Sequence, residues 1–261
     1  MASKKFSPCI DQKISSLKHR FFEESQSVPT REEFIEQATE WFLSTRLNKL
    51  TGLESFAHKD IIIGCTQFIE NICLKQKWNI QILPEEYAYY TVMGKQPTKA
   101  GELQENVPLL ISAPNWKHGQ RSNWQDILEE CVQKNIDVHV DCAWLTVAKD
   151  IEINFDHPCI KSIGMSISKY IGSWNRIGIR WSKQKTLDSV TMFNTQMKYN
   201  DALVSCGSFI MKNLDRDYGW NTYGKKYEQI CTQHNYQSTN YFYLAKKDNE
   251  IVGITDQLLS K

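Results

Sequence analysis

Hydrophobic residues recur along the chain with two different periods, and the switching between them is the first architectural signal. Phe34, Ile35, Ala38, Trp41, Phe42 and Leu50 fall at helical spacing behind Pro29. Thr30 with Glu33 three residues on forms a capping box, so an amphipathic helix of about five turns is predicted. The β-branched run 60–63 reads as a strand, and Gly64-Cys65-Thr66-Gln67 opens a second helical pattern through Ile69, Ile72 and Cys73. Residues 79–83 and Leu109–Ser112 have the character of buried strands. Ser122 and Gln125 are placed to cap a helix carrying Trp124, Ile127, Leu128, Cys131 and Val132, and the apolar run 137–140 is a strand that ends in Asp141. Runs 160–163 and 176–181 continue the strands, with Ser166 to Lys169 between them. Helical spacing then dominates through Leu187, Val190, Phe193 and Met197 and again through Leu203, Phe209 and Ile210; the last twenty residues, with Tyr241-Phe242-Tyr243-Leu244 and Ile251-Val252, offer more strand. Strands alternating with helices predict an α/β fold, a mostly parallel sheet with helices on its faces.

Composition narrows the picture. The 261 residues contain 31 Lys and Arg against 30 Asp and Glu, a formal charge of +1, without the positive excess or basic stripe that a nucleic-acid partner requires. With 41% hydrophobic and 11% aromatic residues the chain can bury a core. Eight cysteines (Cys9, Cys65, Cys73, Cys131, Cys142, Cys159, Cys206, Cys231) are scattered without a CxxC pair, which reads as reduced thiols in a cytoplasmic protein. The N-terminus has no apolar leader core and no stretch has the length of a membrane span, so neither a secretory signal nor a membrane partner is expected. His58, His118, His139 and His157 show no metal-ligand spacing, and no metal is expected.

In an open α/β sheet, ligands bind beyond the carboxyl ends of the strands, so polar residues closing a strand are the candidates for chemistry. Gly64-Cys65-Thr66 lies at a strand-to-helix turn, where backbone N–H groups and a hydroxyl suit an anion. Asn115 follows Pro114 after Leu109–Ser112, Asp141 closes an apolar strand, and Lys169 stands in Ser166-Ile167-Ser168-Lys169 with Arg176 seven residues later. A carboxylate at a buried strand end needs a cationic partner or a role.

The stretches IIIGCTQFIENI, LPEEYAYY, LLISAPNWKHG, DVHVDCAW and SISKYIGSWNRIGIRW follow one another in an order that resembles the aminotransferase family of fold type I pyridoxal-phosphate enzymes, over about residues 30–181. The resemblance implies a three-layer α/β/α large domain, placed at residues 1–185, and a reduced C-terminal part of helices and strands at 186–261. It implies pyridoxal 5'-phosphate as cofactor, with Lys169 forming the Schiff base and shuttling a proton, and Asp141 pairing with the pyridine nitrogen. Tyr87 matches the ring that stacks on the cofactor, with Tyr89 and Tyr90 as rivals. Asn115 matches the partner of the cofactor's phenolic oxygen. The Cys65 backbone, Thr66, Ser166 and Arg176 match a phosphate cup, with Arg180 an alternative to Arg176. By the same resemblance the partners are a small-molecule amino donor and a keto or aldehyde acceptor, and the protein is a homodimer, to which the N-terminal apolar residues Phe6, Ile10, Phe21 and Phe22 would lend a contact.

Three departures bear on the reaction. The family's Asn-Pro-Thr-Gly run is here Asn115-Trp116-Lys117-His118-Gly119, and the aromatic three residues after Asp141 is Trp144 in place of tyrosine. No arginine after Trp181 matches a substrate-carboxylate clamp; Arg216 in NLDRDYGW carries no motif. An amino acid or amine is therefore the expected substrate of a transaminase. A pyridoxal-phosphate lyase or decarboxylase, and a non-catalytic binding protein on the same fold, are the alternatives.

Overall fold

The structure is a computed structural model that describes residues 7–24, 26–77, 79–92, 97–171 and 175–260, leaving aside the side chains of Val92 and Ile171. Phe6 lies outside the described residues. Six strands form the central sheet: β1 (His58–Ile62), β2 (Gln81–Ile82), β3 (Leu109–Ser112), β4 (Val138–Asp141), β5 (Ile160–Ser166) and β6 (Gly178–Ser182). Their order across the sheet is β1-β6-β5-β4-β3-β2. β2, β3, β4 and β5 pair in parallel, whereas β6 runs antiparallel to both β5 and β1, so five strands point one way and β6 alone is reversed.

Both faces of this sheet are covered, so β3 is a nearly continuous apolar run and polar residues within the other strands, such as Asp60, His139, Ser162 and Arg180, are buried. Ile62 and Leu110 point to one side, against Phe68, Ile69 and Ile72 of helix α3 (Gly64–Lys75). Gly164 of β5 makes room there, since a Cβ on it would lie 2.6 Å from the Phe68 ring. Ile61, Leu109, Ile111, Val138, Val140, Ile163, Met165, Ile179 and Trp181 belong to the larger core on the other side. That core takes in α1 (Gln12–Glu23), α2 (Arg31–Leu43), α4 (Trp124–Gln133), α5 (Asp201–Asn213) and α6 (Tyr218–Gln233). The result is the three-layer α/β/α arrangement that the alternation predicts.

Several expected boundaries move for identifiable reasons. The Thr30 capping box is present, with the Glu33 amide donating to Thr30 Oγ1 at 3.2 Å and the Thr30 amide to Glu33 Oε2 at 2.7 Å. However, α2 ends at Leu43, because Asp217 accepts from the Thr45 hydroxyl and the Arg46 amide, both at 2.7 Å, and draws the chain out of the helix. Leu50 sits instead in the short strand Lys49–Thr51, paired with Glu152–Asn154. The helix α4 begins at Trp124 behind Asn123, without a side-chain cap, so Ser122 and Gln125 do not cap it. α6, sixteen residues long, has no counterpart in the expected elements. Phe21 packs on Phe209 with ring centroids 5.8 Å apart and Ile10 lies against the core, while Phe22 remains exposed. No helix among the described residues is long and apolar enough to cross a membrane.

Arg180 of β6 is the strongest polar tie across the sheet. Its guanidinium, 1% exposed, donates to Asp60 (2.6 Å), Asp188 (2.7 Å), Thr191 (2.8 Å) and Asn71 (2.9 Å). Burial pushes the Asp188 carboxyl up, but hydrogen bonds from Arg180, the Thr191 amide and Thr186 outweigh it and leave its pKa at about 2. Replacing Arg180 by Met strands two carboxylates and is expected to cost about 3–5 kcal/mol in urea unfolding. Because the folded Asp188 pKa lies below its ordinary 3.8, its stabilisation is complete above about pH 4 and is lost as pH falls toward 2. That loss, about 2 kcal/mol, is expected to vanish in Asp188→Asn, measured by chemical unfolding between pH 5 and pH 2.

Candidate active site

The sheet register gathers the polar strand ends. Ser112 of β3 lies opposite Asp141 of β4, Asp141 opposite Gly164 of β5, and Ser166 opposite Gly178, the first residue of β6, which also faces Ile62 of β1. Because β6 is reversed, its entry residue Arg176 joins the same edge as the carboxyl ends of β1 to β5.

At one end of this edge the first turn of α3 starts at Gly64 with φ +68°, a left-handed conformation that favours glycine. Its N-terminus has no side-chain cap, so the leading amides of Gly64, Cys65 and Thr66 are available to an anion. A Cβ on Gly64 would touch Ser168 Oγ at 3.4 Å and the Arg176 guanidinium at 3.7 Å. Arg176 Nη2 donates to Thr66 Oγ1 at 2.6 Å. Ser168 Oγ is buried and has no hydrogen-bond partner among the described residues. Two hydroxyls, a guanidinium and uncapped amides thus converge on one point. Arg180, engaged as described on Asp60 and Asp188, is not at this point. Ser166 is buried at the end of β5, and the Cys65 thiol donates to Gly164 O at 3.4 Å. Of the two serines in Ser-x-Ser, Ser168 is the one beside Gly64.

Lys169 stands in the helical turn Ser168–Ile171, half-buried, with no hydrogen bond to the described residues. Its Nζ lies 4.4 Å from the centre of the Trp144 ring. Burial pulls its pKa below the ordinary lysine value, opposed by Asp141 and Cys65 and reinforced by Arg176. The lysine therefore meets the face of Trp144, and the exchange of phenol for indole supplies a flat cation-binding surface.

Asp141 is 3% exposed, and its oxygens accept from the Tyr90 hydroxyl at 2.8 Å and the Ala143 amide at 2.9 Å. Burial raises its pKa, against the pull of Tyr90, the Ala143 amide, Cys65 and Lys169. The three tyrosines of PEEYAYY separate by role. Tyr90 is fully buried on Asp141, Tyr89 donates to Glu70 at 2.5 Å, and Tyr87 is 42% exposed with its ring meeting that of Tyr90 at 6.1 Å and 78°.

Asn115 reaches the edge but its amide is committed to its own loop. Nδ2 donates to Glu85 O and Ser112 Oγ, each at 3.2 Å, and Oδ1 accepts the Lys117 and His118 amides at 2.9 and 3.1 Å. Asn115 and Gly119 exchange two backbone hydrogen bonds of 2.8 Å, which close the loop in place of the family's proline turn. Lys117 and His118 both lean on Glu85. Beneath the loop, Glu86 is buried with Arg121 at 2.8 Å and the Ser112 amide at 3.2 Å, and burial pushes its carboxyl up to about 7 despite Arg121.

The C-terminal part completes the wall behind Trp144. The Trp144 ring packs on Tyr241 and Tyr243 with centroids 5.1 and 6.1 Å apart, and the Tyr241 hydroxyl donates to Asn115 O at 2.5 Å. Gly119 has φ +67°, and a Cβ there would lie 1.7 Å from Asn240 Oδ1, so the loop and the C-terminal segment are in close contact. Arg216 is buried, donating to Leu145 O and Thr146 O at 2.6 Å. It fixes the turn after Trp144 and is not free to clamp a carboxylate. Ser168, Tyr90, Glu86, Arg121 and Tyr241 are the site residues that strand-end reasoning did not select. Ser168 and Tyr90 were within reach as neighbours in quoted motifs, whereas Arg121 and Tyr241 arrive through tertiary packing.

The fold is similar to those of several solved structures. A PLP-bound C-S lyase from Staphylococcus hominis superposes with a TM-score of 0.62 at 10% identity, covering 89% of this chain and 69% of that one. Alanine aminotransferase from Pyrococcus furiosus gives 0.61 at 10% identity over 92% of this chain and 73% of its own. A NifS-like protein from Rickettsia africae gives 0.62 at 13% over 92% and 78%. At such identities the likeness is one of fold. Part of each of these structures has no counterpart here. No protein-family profile and no curated protein sequence matches the chain.

Replacing Tyr241 by Phe leaves the buried Asn115 carbonyl without its side-chain donor. Because the Asn115 carbonyl keeps the Gly119 amide, the expected cost is about 0.5–1.5 kcal/mol, read as a lower urea midpoint with unchanged slope.

Proposed function

We propose that the chain binds pyridoxal 5'-phosphate at this edge and acts as an aminotransferase-like enzyme on an amino acid or amine, with a keto or aldehyde acceptor. The observation that carries the reading is Lys169: an amine without a hydrogen-bond partner among the described residues, in electrostatic contact with a buried aspartate and next to an anion cradle. The cradle suits a phosphate dianion, because the unpartnered Ser168 hydroxyl and the leading amides of α3 are donors that lack acceptors.

When bound, the cofactor supplies an aldehyde that condenses with amines and a ring that withdraws electrons from the carbon beside that nitrogen. The chain's own groups do the rest. Arg176, Thr66, Ser168 and the amides of Cys65 and its neighbours hold the phosphate. Asp141, kept in place by Tyr90 and Ala143, would be the carboxylate to meet the ring nitrogen and hold a proton there. The depressed Lys169 pKa keeps a larger neutral fraction near neutral pH, and the neutral amine is the form that attacks an aldehyde and takes a proton from substrate. Tyr87, exposed at the edge, is the ring positioned to cover the cofactor. Trp144 limits the lysine's sweep from behind. Asn115 orders the loop, and Lys117 and His118 on that loop, both engaged on Glu85, are the groups nearest to hand for a substrate carboxylate. The reading includes a homodimer in the cytoplasm, supported by the exposed Ile63 and Tyr87 at the site edge and by eight cysteines none of which forms a disulfide among the described residues.

Purified protein mixed with pyridoxal phosphate is expected to develop a visible absorbance band, and borohydride is expected to fix the cofactor on Lys169 by peptide mass mapping. Lys169→Ala should show neither, and a wild-type chain without the band overturns the reading. Asp141→Asn is expected to retain the adduct but lose at least ~100-fold in turnover, since the carboxylate acts on charge that develops during reaction. Keto-acid release on adding amino acids marks transamination; ammonia or carbon dioxide release marks the lyase or decarboxylase alternative.

A further inference from the structure

The opposite edge of the sheet carries a separate cluster that the proposed chemistry does not use. Cys159 immediately precedes β5, at the end of that strand remote from Lys169. Its Sγ lies 3.0 Å from His157 Nδ1 and 3.7 Å from Leu128 O on α4. Cys131 follows Leu128 by three residues on the same face of that helix, the face on which Leu128 O meets Cys159, and the interaction between the two thiols raises the Cys131 pKa and lowers that of Cys159. The backbones are tied together as well: Cys131 O accepts the Ile136 amide and Cys159 O accepts the Val138 amide, both at 2.8 Å. Glu129, from the same helix, places Oε1 3.9 Å from His157 Nε2. The turn holding the imidazole is fixed by Ile160 N on His157 O at 3.0 Å and by the Lys183 ammonium on the same carbonyl at 2.8 Å. Carboxylate, imidazole, thiol and second thiol thus stand in sequence.

We infer that Cys159 and Cys131 form a hydroperoxide-reactive dithiol, with Cys159 the attacking sulfur, His157 its proton acceptor and Cys131 the resolving thiol. His157 takes the Cys159 proton, and the thiolate attacks the distal oxygen of the hydroperoxide. An S–O bond forms, the O–O bond breaks, and the departing alkoxide or hydroxide leaves as alcohol or water with the proton from His157. Sulfur loses two electrons and the peroxide gains them. Cys131 then attacks the sulfenic sulfur, the S–S bond forms, and the hydroxyl departs as water with the Cys131 proton. Hydrogen bonding with Cys131 and His157 draws the Cys159 thiol below its ordinary range, whereas the Cys131 thiol is pushed up by Cys159 and by burial, and burial pushes the thiols of Cys9, Cys65, Cys142, Cys206 and Cys231 upward. Cys159 retains 4% exposure and Cys131 none, which matches the order of attack.

The test treats the folded, full-length chain with hydrogen peroxide and maps its peptides by mass spectrometry without reductant. A Cys131–Cys159 cross-linked peptide, reversed by dithiothreitol, is expected to form before any other cysteine is oxidised. In Cys131→Ala a sulfenic acid trapped by dimedone should accumulate on Cys159. His157→Gln should slow iodoacetamide labelling of Cys159 about tenfold while circular dichroism stays unchanged. Oxidation or labelling of Cys159 no faster than that of Cys65 or Cys142, or a cross-link between other cysteines, overturns the inference. Lys169→Ala is expected to form the same cross-link, so the result is independent of the cofactor reading.

Discussion

The arrangement rests on one constraint: a sheet covered on both faces has no room for polar side chains along its strands, so charge emerges only where the strands stop. The few exceptions are tied down, as Arg180 is by Asp60 and Asp188. The same requirement sets the register, because each strand must align its apolar run with its neighbours to keep water out. Ser112, Asp141 and Gly164 therefore come level across β3, β4 and β5. A functional edge is the consequence of how the core is buried.

This explains which parts were legible in the sequence. Apolar runs closed by Asp141, or followed by Gly64-Cys65-Thr66 and Pro114-Asn115, identify strand ends directly, since burial and termination both leave marks in local composition. Tertiary direction leaves none. Nothing around Arg176 shows that β6 is reversed, yet that reversal is what carries the guanidinium to Thr66. Side-chain commitment is equally hidden: Asn115 has the expected place, but Glu85 O and Ser112 Oγ take its donors. Choosing Ser168 over Ser166, or Tyr90 over Tyr89 for contact with Asp141, needs the pleat and the helix start that only three dimensions supply. Likewise, α2 gives way to a strand before Leu50 because Asp217, far along the chain, captures Thr45 and Arg46.

The C-terminal part packs against the strand-end edge. Tyr241 and Tyr243 back the Trp144 ring, Asn240 closes on Gly119, and Arg216 holds the turn after Trp144. Its contribution is to the wall and the loop, with no guanidinium presented to a ligand.

The Ile167 amide is bonded to Ile177 O at 3.2 Å, so the chain that leaves the sheet just before Lys169 is fastened to the sheet again ten residues later. The lysine is thereby mounted on a short closed span and not on an open-ended loop. Its amine has only the reach of its own methylene stem, which raises its effective concentration toward anything seated at the edge. A longer or shorter side chain at 169 would keep the charge and lose the reach.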